Sequence, residues 1–165
     1  MDNIFTAAVV TVSDKGSRGE RADRSGDAAC EALRAGGIAV ASRHLVPDER
    51  GEIADLLREL CDTERVALVL TTGGTGFSPQ DVTPEATLDV VERLCPGIPE
   101  AMRALSMAVT RRAILSRAAA GIRGGTLIVN LPGSPKAVEE CLGFVMEELL
   151  HGLAILRGAD EECGS

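Results

Sequence analysis

Aromatic residues are scarce in this 165-residue chain, which has no Trp, no Tyr and three Phe. Without aromatic faces there is no platform on which successive bases could stack, which disfavours single-stranded nucleic acid as a ligand. Clustered cationic charge is missing too. The 25 Asp and Glu outnumber the 17 Lys and Arg, for a net charge of −8, whereas nucleic-acid backbones are held by Lys and Arg. No nucleic-acid partner is expected. No apolar run approaches the ~18 residues of a membrane span, and Asp2 stands where a secretory signal would carry positive charge. The five cysteines (Cys30, Cys61, Cys95, Cys141, Cys163) contain no Cys-x-x-Cys pair, which fits idle thiols in a reducing compartment better than disulfides or a zinc site. His44 and His151, the two histidines, read as structural. These absences predict a cytoplasmic protein with no membrane partner.

What is present is a core-forming chain, 45% apolar and built from Val, Ile, Leu and Ala, of a length that fits one domain. It reads as one α/β domain over residues 1–158, followed by a polar tail over 159–165. Uncharged, β-branched runs predict strands over Phe5 to Val12, Ile38 to Val46, Val66 to Leu70 and Thr126 to Leu131, with a further strand around Ala118 to Ile122. Between them, apolar residues at helical spacing predict helices over 25–36 with Ser25 as cap and over 49–61 with Asp48 as cap. Another is predicted from Pro84 to Leu94, capped by Thr83. A short helix near Glu100 to Met107 and a long one reaching about Leu156 complete the pattern, while the charged stretch up to Arg24 reads as a solvated loop. Such alternation gives a mostly parallel, doubly wound sheet with helices on both faces, a Rossmann-like three-layer αβα sandwich.

The stretch VALVLTTGGTGFSPQDVTPEA, from Val66 to Ala86, organises the chain. Gly73, Gly74 and Gly76 allow positive φ and let backbone N–H groups converge on an anionic oxygen. It is not a Walker A loop, lacking Gly-Lys-Ser/Thr, and Pro79 excludes the dinucleotide fingerprint. A tight turn without ligand is the plain alternative. Four strands, however, end in glycine, carboxylate or hydroxyl clusters: Ser13 and Asp14, Asp48, Thr71 to Gly76 with Asp81, and Asn130 to Ser134. All four should share one sheet edge, where ligands of open α/β sheets bind. Gly133 and Ser134 ahead of Pro135 form a second anion cradle at a helix start. Two cradles suggest a substrate with several phosphates. Asp48 and Asp81 would repel phosphate unless a magnesium ion bridged them to it. Each could instead be only a cap or a loop brace, and Lys136 and Arg117 read as solvated charges.

TTGGTG, with DVTPEAT from Asp81, ILSRAAAG from Ile114, NLPGSPKAV from Asn130 and SDKGSRGERADRSG near the start, resembles the molybdopterin-binding family of molybdenum-cofactor biosynthesis. The resemblance runs from Val9 to about Gly158 and is greatest to the stand-alone members that adenylylate molybdopterin. It implies a homotrimer and a magnesium-dependent transfer of AMP from ATP to the terminal phosphate of molybdopterin, releasing pyrophosphate. By motif, Asp48 and Asp81 would be the catalytic, metal-binding pair. Ser13, Asp14, Thr72, Gly73, Gly74, Thr75, Gly76, Asn130, Pro132, Gly133 and Ser134 would line the nucleotide and pterin sites. Many members carry arginine where this chain has Gln80, which implies a weaker positive charge beside Asp81. A non-catalytic family member that binds molybdopterin or serves as a structural trimer is the alternative. A valine at Gly74 is expected to abolish binding with the fold intact.

Overall fold

In the computed structural model, residues 5–158 are described; the tail expected over 159–165, Asp2 and Cys163 lie outside them. Strand β1 (Thr6–Val12) leads into a one-turn helix α1 (Asp14–Ser17), then α2 (Arg24–Ala35), β2 (Ala39–Val46) and α3 (Arg50–Asp62). After β3 (Leu68–Thr72) come α4 (Thr83–Val90), the short β4 (Arg93–Leu94) and α5 (Gly97–Ser106). A 3-10 turn (Arg111–Leu115) precedes β5 (Ala120–Arg123), β6 (Thr126–Leu131) and the long α6 (Pro135–Leu156). The six strands form one sheet in the order β2-β1-β3-β6-β5-β4. β2, β1, β3 and β6 are mutually parallel, and β5 and β4 pair antiparallel at one side.

Side chains alternate across the sheet and divide the core in two. Ala7, Val9, Leu68, Leu70, Leu127 and Val129 pack with Leu33 of α2, Met102 of α5 and Leu142 and Leu149 of α6. Ala8, Val10, Val69 and Ile128 face the other way, onto Ile53 and Leu57 of α3 and Ala86 and Val90 of α4. Central β1, β3 and β6 are buried almost throughout, as parallel strands covered on both faces must be, whereas edge strand β2 alternates between half-buried and exposed positions. The expected mostly parallel α/β sheet is therefore the observed one. Because β1, β2, β3 and β6 run parallel, their carboxyl ends share one edge.

Three local expectations need correction. Helix α2 is capped not by Ser25 but by Asp23, whose carboxylate accepts from the Gly26 N–H (2.9 Å); Ser25 turns inward to share a hydrogen bond with Thr72 (3.0 Å). Helix α3 takes Glu49 as its cap residue, with no side-chain bond, because Asp48 is engaged by Asp14. Helix α4 begins after Val82, without side-chain capping by Thr83, and ends at Val90. It stops short of Leu94 because Val91 is extended and Arg93–Leu94 pair with β5, where Gly121 leaves room for the Val91 side chain. The charged stretch from Arg18 to Asp23 is turn and loop as expected, with the one-turn α1 just before it.

Candidate functional site

A cavity of about 610 Å³ opens at the shared carboxyl edge. Val12 and Ser13 enter it from the end of β1, Asp48 from beyond β2, Thr72, Gly73 and Gly74 from β3, Asp81 from the loop ahead of α4, and Gly133 from beyond β6. This is the point where β2 and β3 leave on opposite sides of β1, the topological switch at which such sheets bind ligands.

The turn after β3 has the backbone its glycines allow. Gly73 and Gly74 take φ of +90° and +69°. A Cβ on Gly73 would lie 2.5 Å from the Val12 carbonyl oxygen, and one on Gly74 would collide with Thr83 Oγ1. A valine at Gly74 would therefore strain the fold as well as fill the cradle, so the expectation of an intact fold is withdrawn. Thr83 itself is buried, and its hydroxyl has no hydrogen-bond partner.

Asp48 and Asp14 clasp each other through the backbone. The Asp14 N–H donates to Asp48 Oδ2 (3.1 Å) and the Asp48 N–H to Asp14 Oδ1 (2.8 Å), which joins the ends of β1 and β2. Burial pushes the Asp48 carboxyl up; the Asp14 N–H bond opposes this, and the charges of Asp14 and Asp81 add to it. Among the described residues neither Asp48 nor Asp81 has a Lys or Arg ion-pair partner. A carboxyl raised in the folded state takes up its proton before the unfolded chain does, so burying this charge, with the repulsion around it, weakens stability above that raised value, a cost relieved as pH falls through it. Ligand-free Asp48→Asn is accordingly expected to melt about 1–4 °C above wild type near pH 7.5, with the gap closing in mild acid. Melting curves across pH check this, and identical curves would show that the charge costs nothing.

Asp81 braces its own loop, its Oδ2 accepting from the Ser78 N–H (3.1 Å), and it also faces the cavity. Gln80 is turned to Ser78, whose hydroxyl donates to its Oε1 (2.8 Å). Ser13 Oγ is engaged by the Gly16 N–H and Ser134 Oγ by the Ala137 N–H, so each caps a helix. Thr75, Gly76 and Pro132 line a separate cavity of about 270 Å³, between α5, the 3-10 turn and α6. Asn130 lies behind the site. It is fully buried, donates to Thr71 and Thr87 (both 2.9 Å) and accepts from the Ala119 N–H (3.1 Å), and thereby fastens β6 to β3 and α4. Lys136 is exposed beside Glu140. Arg117 is not a solvated charge, since its side chain binds backbone carbonyls of the glycine loop.

The sequence reading missed Arg21 and Arg24, which bring positive charge to the cavity wall, and Thr11 and Leu45 beside them. Their approach depends on Asp23, which accepts from Thr11 Oγ1 (2.9 Å) and Arg43 (3.0 Å) while capping α2. The local signal is the alternation of acid and base in ERADRSG, which does not by itself show that the segment folds back over β1.

Comparison with known proteins agrees with this geometry. Residues 8–152 match the family described as "Probable molybdopterin binding domain". The molybdopterin adenylyltransferase of Helicobacter pylori strain J99 is 41% identical over 152 residues, covering 91% of this chain and 86% of that protein. That of Escherichia coli K12 is 40% identical over 158 residues, covering 92% and 80%. Among solved structures, the molybdopterin biosynthesis enzyme MoaB of Thermus thermophilus superposes with a TM-score of 0.89 at 48% identity, covering 94% of this chain and 98% of that one. On the match along residues 8–152 and on these relatives, the chain belongs to the molybdopterin-binding domain family of molybdenum-cofactor biosynthesis.

Proposed function

We propose that the protein is a molybdopterin adenylyltransferase, transferring AMP from ATP to the terminal phosphate of molybdopterin with release of pyrophosphate. The observation that carries this reading is the meeting, in one cavity, of the Gly73–Gly74 turn, the Asp48 and Asp81 carboxylates and the Arg21 and Arg24 guanidinium groups. An attacking phosphate monoester is already anionic at neutral pH, so no general base is needed, and the cavity wall supplies no histidine. The monoester oxygen forms a bond to the α-phosphorus as the bond from that phosphorus to the α,β-bridging oxygen breaks and pyrophosphate leaves. Catalysis then reduces to positioning and charge neutralisation. Backbone amides of Gly74 and Gly133 would cradle phosphate oxygens, while the Gly73 N–H is held by the Leu131 carbonyl (3.2 Å), and Arg21 and Arg24 would balance the leaving charge.

The donor set fits magnesium, which takes one or two carboxylates and fills its remaining positions with water and phosphate oxygens. Asp48, half-buried, without a cationic partner and repelled by two neighbouring carboxylates, has the character of such a ligand, and Asp81 would be the second. When bound there, the ion would supply charge neutralisation at the phosphates. The reading includes residence in the cytoplasm, which suits the four unpaired cysteines among the described residues. No described helix is long and apolar enough to cross a membrane.

The decisive experiment incubates the protein with molybdopterin, ATP and magnesium and follows adenylylated product and pyrophosphate. Formation of both in equal amounts is expected. Tight molybdopterin binding without either product would replace this reading with that of a non-catalytic binder.

The protein is also expected to be a homotrimer. Leu105, Met107, Val109, Ile114 and Leu115 are exposed by 39–66% along the segment from α5 through the 3-10 turn, more clustered apolar surface than a lone subunit usually leaves in water. Light scattering at micromolar concentration should give three times the subunit mass of 17.2 kDa; a monomer mass would refute the assembly.

A further inference from the structure

Arg117 stands in the extended stretch between the 3-10 turn and β5, away from the wall of the larger cavity. Its backbone N–H donates to the Thr75 carbonyl (2.9 Å), Nε to the Gly76 carbonyl (2.7 Å) and Nη2 to the Asp81 carbonyl (2.8 Å). Its Nη1 pairs with Glu85 on the first turn of α4. One residue thus grips both ends of the loop from Thr75 to Asp81 and ties them to the helix that follows. The loop's other bonds are mostly internal, such as Asp81 N–H to the Ser78 carbonyl (2.9 Å), and Phe77 at its tip is 69% exposed. Apart from Arg117, the ends of the loop are joined by the Thr83 N–H bond to the Gly74 carbonyl (3.1 Å), and the Asp81 carboxylate is held within the loop by the Ser78 N–H (3.1 Å).

Glu85 Oε2 is buried without a hydrogen-bond partner, and Arg117 is the guanidinium that pairs with this carboxylate. Burial would raise the Glu85 carboxyl, but the hydrogen bond from Arg117, a backbone hydrogen bond and the charges of Arg117 and Arg50 outweigh it and hold Glu85 below its ordinary value, so Glu85 stays ionised at neutral pH. Only a guanidinium offers donors in the fixed, divergent directions these acceptors require; a lysine ammonium is a point charge.

We propose that Arg117 is a positioning residue for adenylyl transfer, holding the Thr75–Asp81 loop so that the glycine turn and the Asp81 carboxylate face Asp48 across the cavity. The proposal rests on the adenylyltransferase reading for its catalytic part and on loop geometry for the rest. Its test compares wild type with Arg117→Lys, Arg117→Gln and Glu85→Gln in two measurements.

Hydrogen exchange, which needs no activity, should show amides of residues 76–81 losing about tenfold or more of their protection in both Arg117 variants, while the core strands keep theirs. Steady-state kinetics should show kcat falling by about tenfold to a hundredfold with the KM for ATP little changed, the mark of misplacement rather than lost binding. Glu85→Gln, which still offers Arg117 an acceptor oxygen, should retain most turnover. Arg117→Lys with wild-type exchange and wild-type kcat would overturn the proposal, as would a loss of protection spread evenly over the whole chain in both Arg117 variants. A wild-type protein that forms no product would remove the catalytic reading and leave the exchange result to decide whether Arg117 holds the loop.

Discussion

Asp81→Asn is expected to lower the rate of adenylyl transfer by about tenfold to a thousandfold, equivalent to about 1.4–4 kcal/mol of transition-state stabilisation, while leaving the melting temperature and molybdopterin binding close to wild type. The brace seen in the structure and the proposed metal role make different demands on this residue. In bracing the loop, the side chain needs only an acceptor for the Ser78 N–H, and asparagine Oδ1 can serve. As a ligand of a divalent cation it would need a negative charge, which asparagine lacks. Turnover measured across a magnesium titration distinguishes them, because a weakened metal site is partly rescued by excess magnesium. Wild-type turnover with unchanged magnesium dependence would leave Asp81 as a brace only.

Gly73→Ala should be as damaging through a different route. The alanine would have to hold φ near +90° with its Cβ 2.5 Å from the Val12 carbonyl oxygen. Left-handed backbone costs a non-glycine residue about 1–2 kcal/mol, and forcing an extra carbon against fixed atoms adds about 1–3 kcal/mol. A backbone carbonyl at the end of a central strand cannot swing aside as a side chain can. The variant is expected to lose about 2–5 kcal/mol and to melt roughly 4–20 °C lower. Its nucleotide affinity should fall as well, since relief of the clash would separate the turn from β1. Calorimetric melting and nucleotide titration on the same preparation test both parts, and a variant that melts and binds like wild type would show that the turn tolerates a side chain.

The sheet was legible in the sequence where burial on both faces leaves an unbroken apolar run. The strand TLIVNL is observed over the predicted residues, and four strand ends were correctly placed on one edge because parallel strands require it. Boundaries failed where a polar residue has two eligible partners. Ser25 and Asp23 can both cap α2, and only the approach of Thr72 to one and of Thr11 and Arg43 to the other decides between them. Helix α4 was read too long because Val91 and Leu94 continue an apolar pattern that β5 recruits for pairing. Within the site, glycines and carboxylates were legible since their residue type limits what they can do. Arg21, Arg24 and Arg117 were not, because a long cationic side chain shows its target only once the chain has folded around it. Asn130 failed in the opposite sense, being polar and next to the cradle in sequence yet used wholly inside the protein.

The cavity draws its wall from the ends of β1, β2, β3 and β6, and these strands meet only through crossovers that bring Ala7 beside Leu68 and Leu68 beside Leu127. No short fragment of the chain therefore contains the site, whose lining runs from Thr11 to Pro135, and a molecule with an unfinished sheet would lack part of the wall. Occupancy and completion of the sheet are consequently one event thermodynamically. Ligand at a hundred times its dissociation constant would shift unfolding by about 2.7 kcal/mol, so a ligand held in this cavity would protect the finished protein from proteolysis and leave its unfinished forms exposed.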